Sequence, residues 1–115
     1  MSAQTAVEPV NSVRLVGRLS DAPAETTLPS GSVVSSFRVI IGRPPEHESG
    51  QRVDALECTA WTARVRRSAR TWRKGDLVEV EGAVRRRFFA TATGRASRVE
   101  IEVTAARVLR RAPSA

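Results

Sequence analysis

Hydrophobic and polar positions begin to alternate at Val13. Val13, Leu15, Gly17 and Leu19 fall on one side of an extended chain, with Arg14, Val16 and Arg18 on the other. A period of two is that of a β-strand. Val33, Ser35, Phe37, Val39 and Ile41 repeat the pattern, with Arg38 on the opposite face, and a third strand is expected from Val53 to Trp61. Between the first two strands, Ser20 to Ser32 carries Pro23, Pro29 and Gly31, and Leu28-Pro29-Ser30-Gly31 reads as a turn. Gly42 to Gly50, with adjacent prolines at 44 and 45, reads as a loop.

The period then changes. Val65, Ala69 and Trp72 recur at helical spacing, which predicts a helix over Thr62 to Arg73 with Thr62 as its N-cap. Gly75 in Lys74-Gly75-Asp76 is expected to end it. Leu77 to Phe89 reads as a long strand bent at Gly82. A Thr93-Gly94 turn leads to a last strand, where Val99, Ile101 and Val103 alternate with Arg98, Glu100 and Glu102. Three strands, one short helix and two more strands predict an all-β fold: a five-stranded Greek-key barrel of the oligonucleotide-binding (OB) type. Residues 1–10 are read as a flexible tail, 11–109 as the barrel domain and 110–115 as a short basic tail.

Charge narrows the class of partner. Formal net charge is +7 in 115 residues, and Lys74 is the only lysine. Such a surplus favours a polyanion, and arginine adds stacking and bidentate phosphate contacts that lysine lacks. No apolar run is long enough to span a bilayer and no signal-peptide pattern opens the chain, so a cytoplasmic protein without membrane contact is expected. Cys58 is the single cysteine and reads as a buried thiol. His47, the sole histidine, lies in the proline-rich loop. With no Ser/His/Asp set, metal-ligand spacing or phosphate-cradling glycine loop, neither an enzyme nor a metal site is expected.

Several segments in order resemble the bacterial single-stranded DNA-binding protein (SSB) family. They are Asn11 to Leu19, Leu28 to Gly31 with Phe37-Arg38-Val39, Cys58 to Trp61, Trp72 to Gly82 around Lys74-Gly75-Asp76, and Arg85-x-Arg87-x-Phe89 with Gly94 and Arg98. The resemblance implies sequence-tolerant binding of single-stranded DNA in replication, recombination or repair, by a homotetramer built as a dimer of dimers, without metal or cofactor. RNA is a possible second ligand.

Binding single strands requires cations along the phosphates and flat groups for the bases. By alternation, Trp61 points away from the Leu56, Cys58 and Ala60 side. Arg85, Arg87 and Phe89 share a face, opposite Val78, Val80 and Val84. These four residues, with Arg38, Arg43, Arg73 and Lys74, are the expected DNA contacts. Glu79 and Glu81 take the phase of Arg85 and Arg87 and are expected to pair with arginines. Phe88 is expected in the core or in a subunit contact, and Phe37 and Trp72 in the core. Arg64, Arg66, Arg67 and Arg70 on the helix form either a second DNA track or a solvated face.

The chain also departs from the family pattern. Ala55 and the Arg43-Pro44-Pro45 region stand where aromatics are common, and Glu57 where a basic residue is common. Fewer stacks imply a steeper dependence on salt. The sequence ends in Arg110-Arg111-Ala112-Pro113-Ser114-Ala115 rather than an acidic tip that recruits repair enzymes, which suggests an accessory paralogue. The alternative is an SSB-like OB-fold interaction module of a replisome or primosome, with weak or no DNA binding.

Overall fold

The computed structural model describes residues 6–46 and 50–114, so His47 lies outside the described residues. The chain forms β1 (Val13–Leu19), β2 (Ala24–Thr27), β3 (Val33–Gly42), β4 (Val53–Ala60), α1 (Ala63–Ala69), β5 (Leu77–Thr91) and β6 (Gly94–Arg110). Hydrogen bonding runs β1-β5-β6-β4-β3-β2, and β1 also pairs with β3. That second pairing closes five strands into a ring. β2 pairs with residues 33–36 of β3, while β1 pairs with Val39 and Ile40, so the two strands share one edge of β3. All contacts are antiparallel except β4 with β6. The expected OB-type barrel is present, with its helix between the third and fourth strands of the ring.

Closing the ring forces backbones together at two glycines. At Gly17, where β1 passes from β5 to β3, an added Cβ would stand 2.5 Å from the Ile40 carbonyl oxygen and 2.6 Å from a Val39 methyl. At Gly82 it would stand 1.8 Å from the Glu102 carbonyl oxygen. The β5–β6 register shifts at Glu81/Gly82, so the predicted bend is a β-bulge. Past the bulge β5 leaves β1 but stays paired with β6, which still meets β4 at Ile101 and Glu102; beyond these rungs β5 and β6 run on as a two-stranded arm. Asn11 braces this point, its amide donating to the Val84 carbonyl (2.7 Å) and accepting from the Val84 N–H (2.8 Å).

Inside the ring, Leu19, Phe37, Val39, Cys58, Ala60, Val78, Val80, Ile101 and Val103 form the core, and Val65, Ala69 and Trp72 cover one end. Each side chain of valine to phenylalanine size contributes about 1.5–3 kcal/mol by leaving water. Trp72 meets Phe37 edge to face, with ring centroids 5.1 Å apart. Thr62 caps α1 by accepting from the Val65 N–H. Burial, followed by the charges of Glu57 and Glu100, pushes the Cys58 thiol up to about 12.

Four local expectations are corrected. The segment before the Leu28–Gly31 turn, for which no strand is expected from the sequence, contains β2, because its residues satisfy the β3 edge that β1 leaves free. α1 ends at Ala69 and not at Arg73. Gly75 (φ +87°) therefore belongs to the turn into β5, where its N–H donates to the Leu19 carbonyl (2.9 Å). β4 ends at Ala60, which leaves Trp61 just beyond it. Of the two positions expected for Phe88 the core is overturned, since it is 66 % exposed on the arm, and Val84, just past the bulge, is half-exposed. The expected pairing of Glu79 with arginines is present, through Arg14 and Arg107 across β1, β5 and β6.

Two carboxylates fasten the barrel wall. Asp76 is buried and accepts from the backbone N–H of Arg73 (2.9 Å) and Ala112 (2.8 Å) and from Arg111 (3.0 Å). Burial raises its pKa, but these donors outweigh burial and hold the carboxyl below its ordinary 3.8. Arg107, then Arg14, hold Glu79 below its ordinary 4.5.

Gly82→Ala is expected to lower unfolding stability by about 3 kcal/mol or more, read from urea denaturation, because the clash is with backbone and not with a movable side chain. The depressed carboxyl pKa values stabilise the fold fully above their ordinary values of 3.8 and 4.5, and this contribution is lost as pH falls through the lower folded values. Between pH 6 and pH 3 the urea midpoint is expected to fall less in Glu79→Gln than in the parent.

Candidate nucleic-acid interface

Direct antiparallel partners project from the same face of a sheet, so the arm can be read rung by rung. Arg85 faces Glu100, Arg87 faces Arg98 and Phe89 faces Ala96. This face borders a cleft of about 300 Å³, whose lining includes Trp61, Arg87, Phe89, Arg98, Glu100 and Thr59. The Arg87 guanidinium lies 5.7 Å from the Trp61 ring centroid, and that of Arg98 lies 5.8 Å from the Phe89 centroid. Each aromatic therefore carries a cation within cation–π range. Trp61 is half-buried and Phe89 is 44 % exposed, so both retain accessible surface.

Carboxylates hold the arginines in place. Glu100 is only 4 % exposed, accepts the Thr59 hydroxyl, and lies 3.5 Å from Arg87 Nε and 3.9 Å from Arg98 Nε. Glu102 accepts from Arg87 Nη2 at 2.9 Å and lies 3.6 Å from Arg85 Nε. One rung further along the same face of β3 and β4, beyond Ser36 and Thr59, Arg38 pairs with Glu57. Ala55 continues this face, paired with Ile40.

The structure thus brings Trp61, Phe89 and Arg87 into one cleft, with Arg85 beside it through Glu102 and Arg38 on the adjoining rung. Arg43 stands apart at the start of the loop after β3, bound to Asp54 (3.0 and 2.7 Å). Arg73 and Lys74 lie beyond the far end of α1, outside the cleft lining. The alternation puts Glu100 opposite Ile101 but does not point to its burial, nor to Thr59, Ser36, Val34 or Leu28 as cleft walls. The available signal was phase, since Thr59 alternates with Trp61 on its own strand. The burial of Glu100 depends on the non-local β4–β6 pairing, in which Thr59 faces Glu102.

A closed five-stranded barrel with one helix, carrying an aromatic–arginine cleft on its outer face, defines an OB-fold protein. Residues 10–110 match the model of the single-strand binding protein family, and the chain belongs to that family. It is 32 % identical over 87 residues to the single-stranded DNA-binding protein of Halalkalibacterium halodurans, covering 75 % of this chain and 52 % of that protein. It is 31 % identical over 86 residues to single-stranded DNA-binding protein A of Bacillus subtilis, covering 74 % and 50 %. The chain therefore spans about half the length of the curated relatives it matches. Among solved structures, a Plasmodium falciparum SSB in complex with single-stranded DNA has a TM-score of 0.75 at 20 % identity, covering 91 % of this chain and 99 % of that one.

With Arg87 over its ring, Trp61 is partly screened from solvent, whereas Trp72 is buried in the core. Arg87→Ala is expected to increase acrylamide quenching of one tryptophan component and leave the other protected.

Proposed function

We propose that this chain binds single-stranded DNA with little sequence preference, stacking bases on Trp61 and Phe89 while Arg85, Arg87, Arg38 and Arg98 follow the backbone. The observation that carries this reading is the cleft itself: two accessible aromatic rings, each with an arginine within 6 Å of its centroid. Stacking accepts any base because every base offers a π-face. Family membership and relatives named as single-stranded DNA-binding proteins support the same reading. A role in replication, recombination or repair, assembly as a homotetramer and a location at the nucleoid follow from it as parts of the proposal.

The ion pairs revise the expected salt dependence. An arginine already matched by Glu57, Glu100 or Glu102 has less net charge with which to neutralise a phosphate, so binding in the cleft alone displaces fewer of the counterions condensed on the DNA and weakens less steeply with salt. The same pairs favour the second reading, an interaction module whose arginines are occupied internally.

Tryptophan fluorescence titrated with oligothymidine at two salt concentrations tests the proposal. Phe89→Ala is expected to weaken binding by about 1–3 kcal/mol, the usual worth of one stacked base. Absence of any binding at low salt overturns the reading. With Arg85, Arg87 and Phe89 all replaced by alanine, DNA binding is expected to disappear, while a protein partner of the second reading would still be retained.

A further inference from the structure

The uncompensated charge of this chain lies outside the cleft. From Thr62 to Lys74 the sequence holds Arg64, Arg66, Arg67, Arg70, Arg73 and Lys74, with no acidic residue. Arg70 is matched by Glu25 of β2 (2.9 Å), and Arg66 Nε donates to the Trp61 carbonyl (3.1 Å). The other four side chains are exposed, and among the described residues no hydrogen bond or ion pair holds them. On the cleft face, by contrast, Arg38, Arg85 and Arg87 each meet a carboxylate.

This arrangement works against the helix that carries it. Arg64 sits in the first turn, which contains no acidic residue, so its charge opposes the helix dipole. Arg64 and Arg67 are three residues apart and repel each other on neighbouring positions of the helix surface. A bound anion would relieve both terms.

Position indicates which anion. Trp61, in the cleft wall, directly precedes the N-cap Thr62, and Arg66 ties the helix back to the Trp61 carbonyl. At 1.5 Å per residue, α1 is about 10 Å long. Arg64 therefore stands within one turn of the cleft, and Arg73 and Lys74 lie past the opposite end. Between α1 and β6 runs a groove of about 250 Å³, lined by Arg64, Val65, Ser68, Thr104, Ala105 and Ala106, whose mostly small side chains leave the helix flank open to a chain-like ligand.

We propose that a single strand leaving the cleft at Trp61 continues across α1, with phosphates on Arg64 and Arg67 and then on Arg73 and Lys74. This rests on the single-strand reading of the cleft and extends it: the cleft holds bases, and the helix holds backbone. The ligand is a phosphodiester chain and not an acidic peptide, because the track is continuous with the stacking site.

The test compares the parent with Arg64→Gln/Arg67→Gln, using oligothymidines of about five and about twenty nucleotides, lengths near the lower end of the usual reach of one OB fold and above it. Thermal melting followed by circular dichroism confirms that the variant is folded. The short oligonucleotide is expected to bind both proteins equally. For the long one, the variant should bind several-fold more weakly, and its slope of log affinity against log salt should be shallower by roughly 1.4, two contacts at about 0.7 each. An unchanged slope and affinity for the long oligonucleotide overturns the helix track while leaving the cleft reading intact. Loss of polyglutamate binding without loss of oligothymidine binding also overturns it, in favour of an acidic polypeptide. If the parent binds neither oligonucleotide, both readings fall.

Discussion

Where β1 leaves β5 and meets β3, the strands approach so closely that Gly17 has no room for a methyl group. This contact turns a curved sheet into a closed ring and leaves no long unpaired edge between β1 and β3. Once the ring is closed, β5 and β6 are longer than the barrel needs, and the bulge at Gly82 sends the remainder outward as an arm. The cleft forms where that arm passes the end of β4 and the turn before β3. Its shape therefore follows from backbone geometry at two glycines that take no part in its chemistry.

Within the cleft, acidic residues act as spacers. Left unpaired, neighbouring arginines would spread into solvent in many rotamers. Glu100 and Glu102 restrain Arg85, Arg87 and Arg98 near the two rings. The Thr59 hydroxyl orients Glu100 from below. An ordered cationic surface loses less side-chain freedom when a strand arrives. Its net positive field is correspondingly modest, and the stronger field comes from the helix flank, where among the described residues only Arg70 meets a carboxylate.

Most of the architecture was legible from periodicity, since the five barrel strands, the cap at Thr62 and the bend at Gly82 leave local signatures. β2 was not, because Ala24 to Thr27 carries no alternation and becomes a strand only through the edge of β3. The helix end was overestimated because Trp72 continues the apolar spacing after the backbone has left the helix, packing on Phe37 from a turn. Of the site, the grouping of Trp61, Arg87 and Phe89 was reached by phase along single strands. The partners of Arg38 and Arg87 were not, since Glu57, Glu100 and Glu102 reach them only through cross-strand register. Alternation places a side chain on a face, and pairing determines which charges meet there.

The burial of Cys58 has a practical consequence. The thiolate is the form that alkylates and exchanges with disulfides, and a thiol held at about 12 supplies almost none of it at neutral pH. The one natural sulfhydryl is therefore chemically silent while the barrel stays folded. A single cysteine introduced on the exposed arm or helix flank would be the only reactive one. A fluorophore or spin label can then be attached at a chosen point along the surface without disturbing the core.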